Sequence, residues 1–259
     1  MTPVVPEHIV NPRYGTGLFR RRIRLSRSGQ QVCAELEDDC HGFRVRLEHD
    51  GGRVTAVAGE ALRVPLDTCA GALKPLQALV GVALDAPVAS IVANVPPRGN
   101  CTHLFDLSLL ALAHVTQAAT VRVYDVEVVD QAEPGAPARA EVFLNGESIH
   151  RWQLARMAIV EPEVYAGRPV LRGFAAWANE AFAGREMEAA MVLSRGVFVA
   201  CSRMFDMSEI GGQPALNHTN MLGACYSYSE GVVEHAIRNH DTVRDFSDTP
   251  EALLAFKVH

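Results

Sequence analysis

No stretch of this chain is long and apolar enough to span a bilayer, and its start, Met1-Thr2-Pro3-Val4-Val5-Pro6-Glu7, lacks the charged-then-apolar pattern of a secretory signal. Those two absences lead us to expect a cytoplasmic protein with no membrane partner. An excess of positive charge is missing too. The formal charge is −6 and the pI is near 5.9, the opposite of a nucleic-acid footprint, so no nucleic-acid partner is expected. The one basic cluster, Arg20-Arg21-Arg22 with Arg24 and Arg27, alternates with Phe19, Ile23 and Leu25 and reads as the wet face of a strand. No Gly-rich phosphate loop, Ser nucleophile elbow or dinucleotide fingerprint is evident, which argues against nucleotide and NAD chemistry. Six cysteines in 259 residues without a secretion signal do not read as a disulfide framework. Reduced thiols are expected, with Cys33 and Cys201 as small core side chains.

What is present is a globular composition. With 48% hydrophobic and 21% charged residues, the chain can bury a sizeable core. Residues 1–15 hold Pro3, Pro6, Pro12 and Gly15 and read as an extended arm. Alternation then takes over: Phe19 to Arg27, next Val32, Ala34 and Leu36 on one face, next Phe43, Val45 and Leu47 against Arg44, Arg46 and Glu48. Asp50-Gly51-Gly52 turns the chain into a strand over 53–58, completing an antiparallel meander with one buried face. After Pro65 the spacing of Ala72, Leu73, Leu76, Leu79 and Val80 predicts a helix capped by Asp67 or Thr68, stopped at Gly81 and either kinked or restarted at Pro75. The stretch 85–99 reads as a loop, and 103–118, apolar on most sides, as a buried helix.

Beyond Thr120, Val121, Val123, Val126 and Val128 predict a strand, and Asn145-Gly146 between 138–144 and 147–154 predicts a hairpin. Past Pro169 the pattern is helical for most of the remainder, with Phe174, Trp177, Ala178 and Ala181 in one stripe and a last short helix over 230–239. No internal repeat is evident. Strands followed by helices, rather than strict alternation, predict an α+β fold: an antiparallel sheet with packed helices in 1–118, then a β-hairpin and a helical covering part in 119–259.

The residues able to do chemistry gather at a few places. Asn100-Cys101-Thr102-His103-Leu104-Phe105-Asp106 opens the buried helix, Cys69 opens the one before it, and Asp38-Asp39-Cys40-His41 forms a turn between strands. A helix start presents unpaired N–H groups and positive dipole, where thiolates are favoured. Three such elements can place sulfur, imidazole and carboxylate donors around one point, as a zinc or iron ion requires. Cys69, Cys101 and His103 are the expected ligands, completed by Asp39, His41 or Cys40. Asp106, one turn after His103, is expected either to orient that imidazole or act as a general base, or to cap the helix start. His218 is the best candidate from elsewhere for a catalytic role in the same pocket, which Met221, Cys225, Tyr226 and Tyr228 would line. Without a metal, Cys69 and Cys101 would form a reactive thiol pair.

Two resemblances rest on these stretches. Asn11-Pro12-Arg13-Tyr14-Gly15-Thr16-Gly17, Cys101-Thr102-His103-Leu104 and Arg244-Asp245-Phe246 resemble the bacterial family filed as domain of unknown function 2889, over the whole chain. That resemblance implies a single evolved unit and brings no activity with it. Over residues 30–118, Asp39-Cys40-His41, Cys69, Leu79-Val80-Gly81 and Asn100-Cys101-Thr102 follow the order and spacing of the NifU/IscU-type iron–sulfur scaffold, a small antiparallel sheet followed by helices. Similarity to that fold implies metal or cluster positions at Cys40 (or Asp39 and His41 beside it), Cys69 and Cys101. The chain departs from it in placing Asn100 where the scaffold's histidine precedes its last cysteine, and in residues 119–259, which have no scaffold equivalent.

These features predict a metal-dependent enzyme, zinc or iron, acting on a small organic molecule by hydrolase, lyase or isomerase chemistry in a cavity closed by the C-terminal part. The rival expectations are an iron–sulfur or sulfur-transfer scaffold, a metal-free thiol enzyme, and a structural zinc pinning helices to the sheet. The sequence leaves homo-oligomerisation open.

Overall fold

The computed structural model describes residues 10–95 and 97–256, so residues 1–9 of the expected arm lie outside the described residues. Four strands come first, β1 (Leu18–Ser28), β2 (Gln31–Asp38), β3 (Gly42–His49) and β4 (Val54–Arg63). Two 3-10 turns, Asp67–Leu73 and Pro75–Leu79, lead to α1 (Val88–Asn94) and α2 (Thr102–Val115). A second set of strands follows, β5 (Val121–Val129), β6 (Ala138–Leu144), β7 (Glu147–Ala155) and β8 (Ala158–Glu161), then α3 (Phe174–Ala181) and α4 (Gly184–Ala200). All eight strands join one antiparallel sheet in the order β4-β3-β2-β1-β5-β6-β7-β8, an α+β fold. No helix of the described residues is long and apolar enough to cross a membrane.

The period-two pattern explains which face each strand buries. On β1, Phe19, Ile23 and Leu25 turn inward while Arg20, Arg22 and Arg24 turn outward. The outer face is a lattice of opposite charges: Arg22 meets Asp125 at 2.6 Å, Glu35 holds both Arg24 and Arg44, Arg44 reaches Glu60, and Glu127 links Arg20 to Arg139. Most of these are cross-strand neighbours, which contribute little individually in water but favour one register. The inner face is covered by α2, lying on β1 to β3, and by α4, lying on β5 to β7. Gly196 permits the close approach of α4, since a Cβ there would come within 2.7 Å of Val126 Cγ1.

The strand order is palindromic about the β1–β5 pair. Each quartet is a meander that runs outward from that pair and ends in a helix laid across its inner face. The duplication is one of topology, which differing residues satisfy equally well because a meander asks only for alternation and turns. The boundary expected at 118/119 falls in the connection from α2 to β5. Across it β1 and β5 pair from Leu18↔Val129 to Ser26↔Val121, and one apolar cluster includes Ile23 and Phe43 with Trp152 and Leu193.

Elsewhere the chain departs from expectation. The helix expected around Cys69 is two 3-10 turns, with Pro75 opening the second because it has no N–H to continue the first. The loop expected over 85–99 contains α1, and β8 was not expected. After Ala200 the chain is made of short 3-10 turns and extended segments, and no helix spans 230–239: Ala236 O and Arg238 N bond instead to Ala215 N and Gln213 O. Residues 240–256 then run behind the β2–β3 connection. Arg244 N donates to Asp39 O, Arg63 joins Thr242 O to Asp39 O and to Asp38 O and His41 O, and Leu254 N donates to Glu37.

His150 on β7 is buried, with its ring 4.7 Å from that of Phe182 and its Nε2 2.8 Å from Glu186 O at the start of α4. Burial lowers its pKa from the ordinary 6.5, and His114 is lowered in the same way. A group with a depressed folded pKa binds more protons when unfolded, so its contribution to stability is complete above about 6.5 and is lost as pH falls through the folded value. Urea unfolding should therefore show stability declining as pH drops below about 6.5, with a shallower decline in His150→Gln. An unchanged acid limb in that variant would remove His150 from the account.

Candidate functional site

Three elements converge at the upper end of β2. Asp38 continues the inward face of Val32, Ala34 and Leu36 and is fully buried. Its Oδ1 accepts the backbone N–H of Cys40 (2.8 Å) and of His41 (2.7 Å), which folds the β2–β3 connection back on itself, and lies 3.0 Å from His41 Nδ1. Its Oδ2 accepts Nε (2.9 Å) and Nη2 (2.5 Å) of Arg21, the residue opposite it on β1. His103, in the first turn of α2, brings Nε2 to 3.3 Å from the same Nη2. Its ring lies 4.0 Å from that of His41, centroid to centroid, and both rings face Phe43. One ligand atom each from Asp38, His41 and His103 lies within 4.8 Å of the other two.

Burial alone would raise the Asp38 pKa, but Arg21, His41 and His103 outweigh it and hold the carboxyl well below the usual range. Burial pushes His103 well below 6.5, and the charges of His41 and Arg21 add to that. The site therefore joins an ionised carboxylate to an uncharged imidazole whose Nε2 faces the Nη2 donor of Arg21. Two nitrogens and one carboxylate oxygen are a donor set that suits zinc or non-haem iron. Arg21 competes for the same carboxylate.

Of the other expected residues, Cys101 adjoins His103 and the rest have partners of their own. In place of a set built on Cys69, Cys101 and His103 with Asp39, Cys40 or His41, the described residues bring together Asp38, His41 and His103. Cys101 directly precedes α2, with Sγ 4.0 Å from His103 Nδ1, and burial pushes its thiol up to about 12. The expected thiolate at a helix start gives way to desolvation, which outweighs the dipole. Cys69 Sγ accepts from Ser227 Oγ at 3.4 Å, and burial raises it as well. Cys40 turns away from His41 to Ser202 Oγ (3.2 Å), and burial pushes it up to about 12. Cys69 and Cys225 are both near enough to Cys101 for their charges to raise it, whereas Cys40 stands apart against Ser202.

Asp39 points to the opposite side of its turn from Asp38 and pairs with buried Arg203 at 2.8 Å, and burial still raises it to about 7. Arg203 also grips Asp130 and touches Asp245. Asp106 receives Arg195 Nε of α4 at 2.8 Å, tying the two helices together instead of orienting His103, although the charge of Arg21 reaches it. His218 is buried in the segment after Pro214 and is outside the group around His103. Tyr226 N donates to Asn100 O, and its ring fills the space a side chain at Gly71 would need. Tyr228 Oη accepts from Arg238, and Met221 and Cys225 pack with Cys69 and Tyr228. This patch packs on the Cys69 turn and reaches Asn100, directly before Cys101.

Asp38 was not among the expected ligands, and Arg21, expected on the wet face of its strand, is buried. Alternation carried both: 32, 34, 36, 38 and 19, 21, 23, 25 are inward series, so a charged residue at 38 and another at 21 mark a buried pair. No protein-family model matches the chain, and no curated protein matches it.

Replacing Arg21 with Met leaves the Asp38 carboxylate buried without its counter-charge, and should cost about 3–5 kcal/mol in urea unfolding. Combining it with Asp38→Asn should cost much less than the sum of the two single changes. Additive costs would mean that the two side chains do not interact.

Proposed function

We propose that this chain is an enzyme acting on a small organic molecule at a centre formed by Asp38, His41 and His103, which hold a divalent zinc or iron ion. The observation that carries this reading is the convergence of two imidazoles and an ionised carboxylate from three separate elements within 4.8 Å. Such a metal would supply Lewis acidity for hydrolase, lyase or isomerase chemistry. The chain's own part is positional. Asp38 sets the orientation of His41 through Nδ1, so that Nε2 faces away from the carboxylate, and the burial of His103 keeps it a neutral donor.

A second reading has its own support. Both oxygens of Asp38 are already engaged, one by the turn and His41, the other by Arg21. A carboxylate so occupied behind an imidazole is the arrangement of an acid–base pair, in which His41 exchanges protons with substrate and no metal takes part. Thiol or sulfur-carrier chemistry has less behind it, because Cys40, Cys69 and Cys101 are buried with raised pKa values, whereas a carrier presents its sulfurs to a partner.

Elemental analysis of protein purified without a metal column, under air and anaerobically, separates these readings. About one zinc or iron per chain is expected, lost in His41→Ala and His103→Ala and kept in Cys69→Ser and Cys101→Ser. Protein without metal in both preparations, and unable to take up cobalt on dialysis, would leave the acid–base reading alone. Metal lost in the serine variants and kept in the alanine variants would return the centre to the cysteines.

A further inference from the structure

We propose that Arg21 receives the carboxylate of the small organic molecule on which this site acts. The inference rests on Asp38, His41 and His103 being the reaction centre, and does not depend on a metal there. Arg21 is 2% exposed. Its guanidinium is used along one edge: Nε and Nη2 donate to Asp38 Oδ2, and Nη2 lies 3.3 Å from His103 Nε2. Nη1, at the other end, makes no hydrogen bond within the described residues, and it is not among the nitrogens sealed inside the protein, as Arg122 Nη1 is. An arginine serving only to neutralise Asp38 has no use for the two donors of Nη1, which stay open to a ligand. Those donors belong to the guanidinium whose Nη2 lies 3.3 Å from His103 Nε2.

The surroundings select the ligand. Asp38 cancels the charge of Arg21 locally, but a second guanidinium stands nearby. Arg195 of α4 pairs with Asp106 of α2 on the partly exposed side of the site, its charge is felt at His103, and that of Arg21 is felt at Asp106. An incoming anion therefore meets one free guanidinium end backed by one buried carboxylate, with Arg195 beside it. A planar monoanion matches that arrangement. A phosphate dianion would need more donors than one free nitrogen and would face Asp38 behind it.

The test uses the full chain stripped with chelator, titrated with acetate and separately with inorganic phosphate, and followed by the ring resonances of His41 and His103 in NMR spectra. Acetate should shift both rings saturably, phosphate should bind more weakly, Arg21→Lys should weaken acetate about tenfold or more, and Arg195→Gln should weaken it only a few-fold. Should Arg21→Lys fail to fold, the charge-neutral pair Asp38→Asn with Arg21→Gln takes its place and should not respond to acetate. The absence of a saturable shift up to about 100 mM acetate, an undiminished response in a folded Arg21 variant, or tighter binding of phosphate than acetate would each overturn the assignment. Because the protein is metal-free throughout, failure of the metal reading leaves these outcomes unchanged.

Discussion

Pairing of β1 with β5 closes two meanders into one sheet, and the rest of the molecule is arranged by that seam. A strand bonded on both sides has its backbone fixed by two ladders, so its side chains point where the pleat sends them. Arg21 stands on that strand with Asp38 opposite it on β2 and Val126 opposite it on β5. The site therefore rests on the stiffest part of the sheet, and the histidines come to it from a turn and from a helix start. Had β1 been an edge strand, the guanidinium would have had water on one side and no need of a buried carboxylate.

Burying that pair is expensive in itself, since both charges leave water. The cost is offset locally because Asp38 also ties down its own turn through two backbone N–H groups. One carboxylate thus serves packing, turn geometry and the orientation of His41 together. Groups with several simultaneous partners restrict the conformations open to a chain more than they add to its stability.

The strands were legible in the sequence because each is set by residues two apart, and the hairpin at Asn145-Gly146 because a two-residue turn needs both positions at positive φ, here 51° and 83°. The candidate site was legible only in part. His41 and His103 stood out by type, while Asp38 required the alternation rule to be carried one step past Leu36, and Arg21, expected on the wet face, lies inside the inward series between Phe19 and Ile23. The surroundings of the cysteines were hidden for a different reason. Their environments are made by residues far along the chain, Ser227 for Cys69 and Ser202 for Cys40, at separations of 158 and 162 residues. A local reading sees a helix start and its dipole. It does not see the burial that decides whether a thiol ionises.

Residues 240–256 clamp the back of the turn that carries Asp38 and His41, chiefly through Arg63 and the backbone of Arg244. That arrangement has a consequence for synthesis on the ribosome. The sheet edge, the turn and both histidines emerge early, but the clamp emerges some two hundred residues after the turn it secures, roughly ten seconds or more later at ordinary elongation rates. During that interval the first meander must hold its own inner face together without the clamp or α4. The order of emergence thus separates folding of the scaffold from completion of the centre, and a nascent chain halted before residue 240 would carry the histidines without the support behind them.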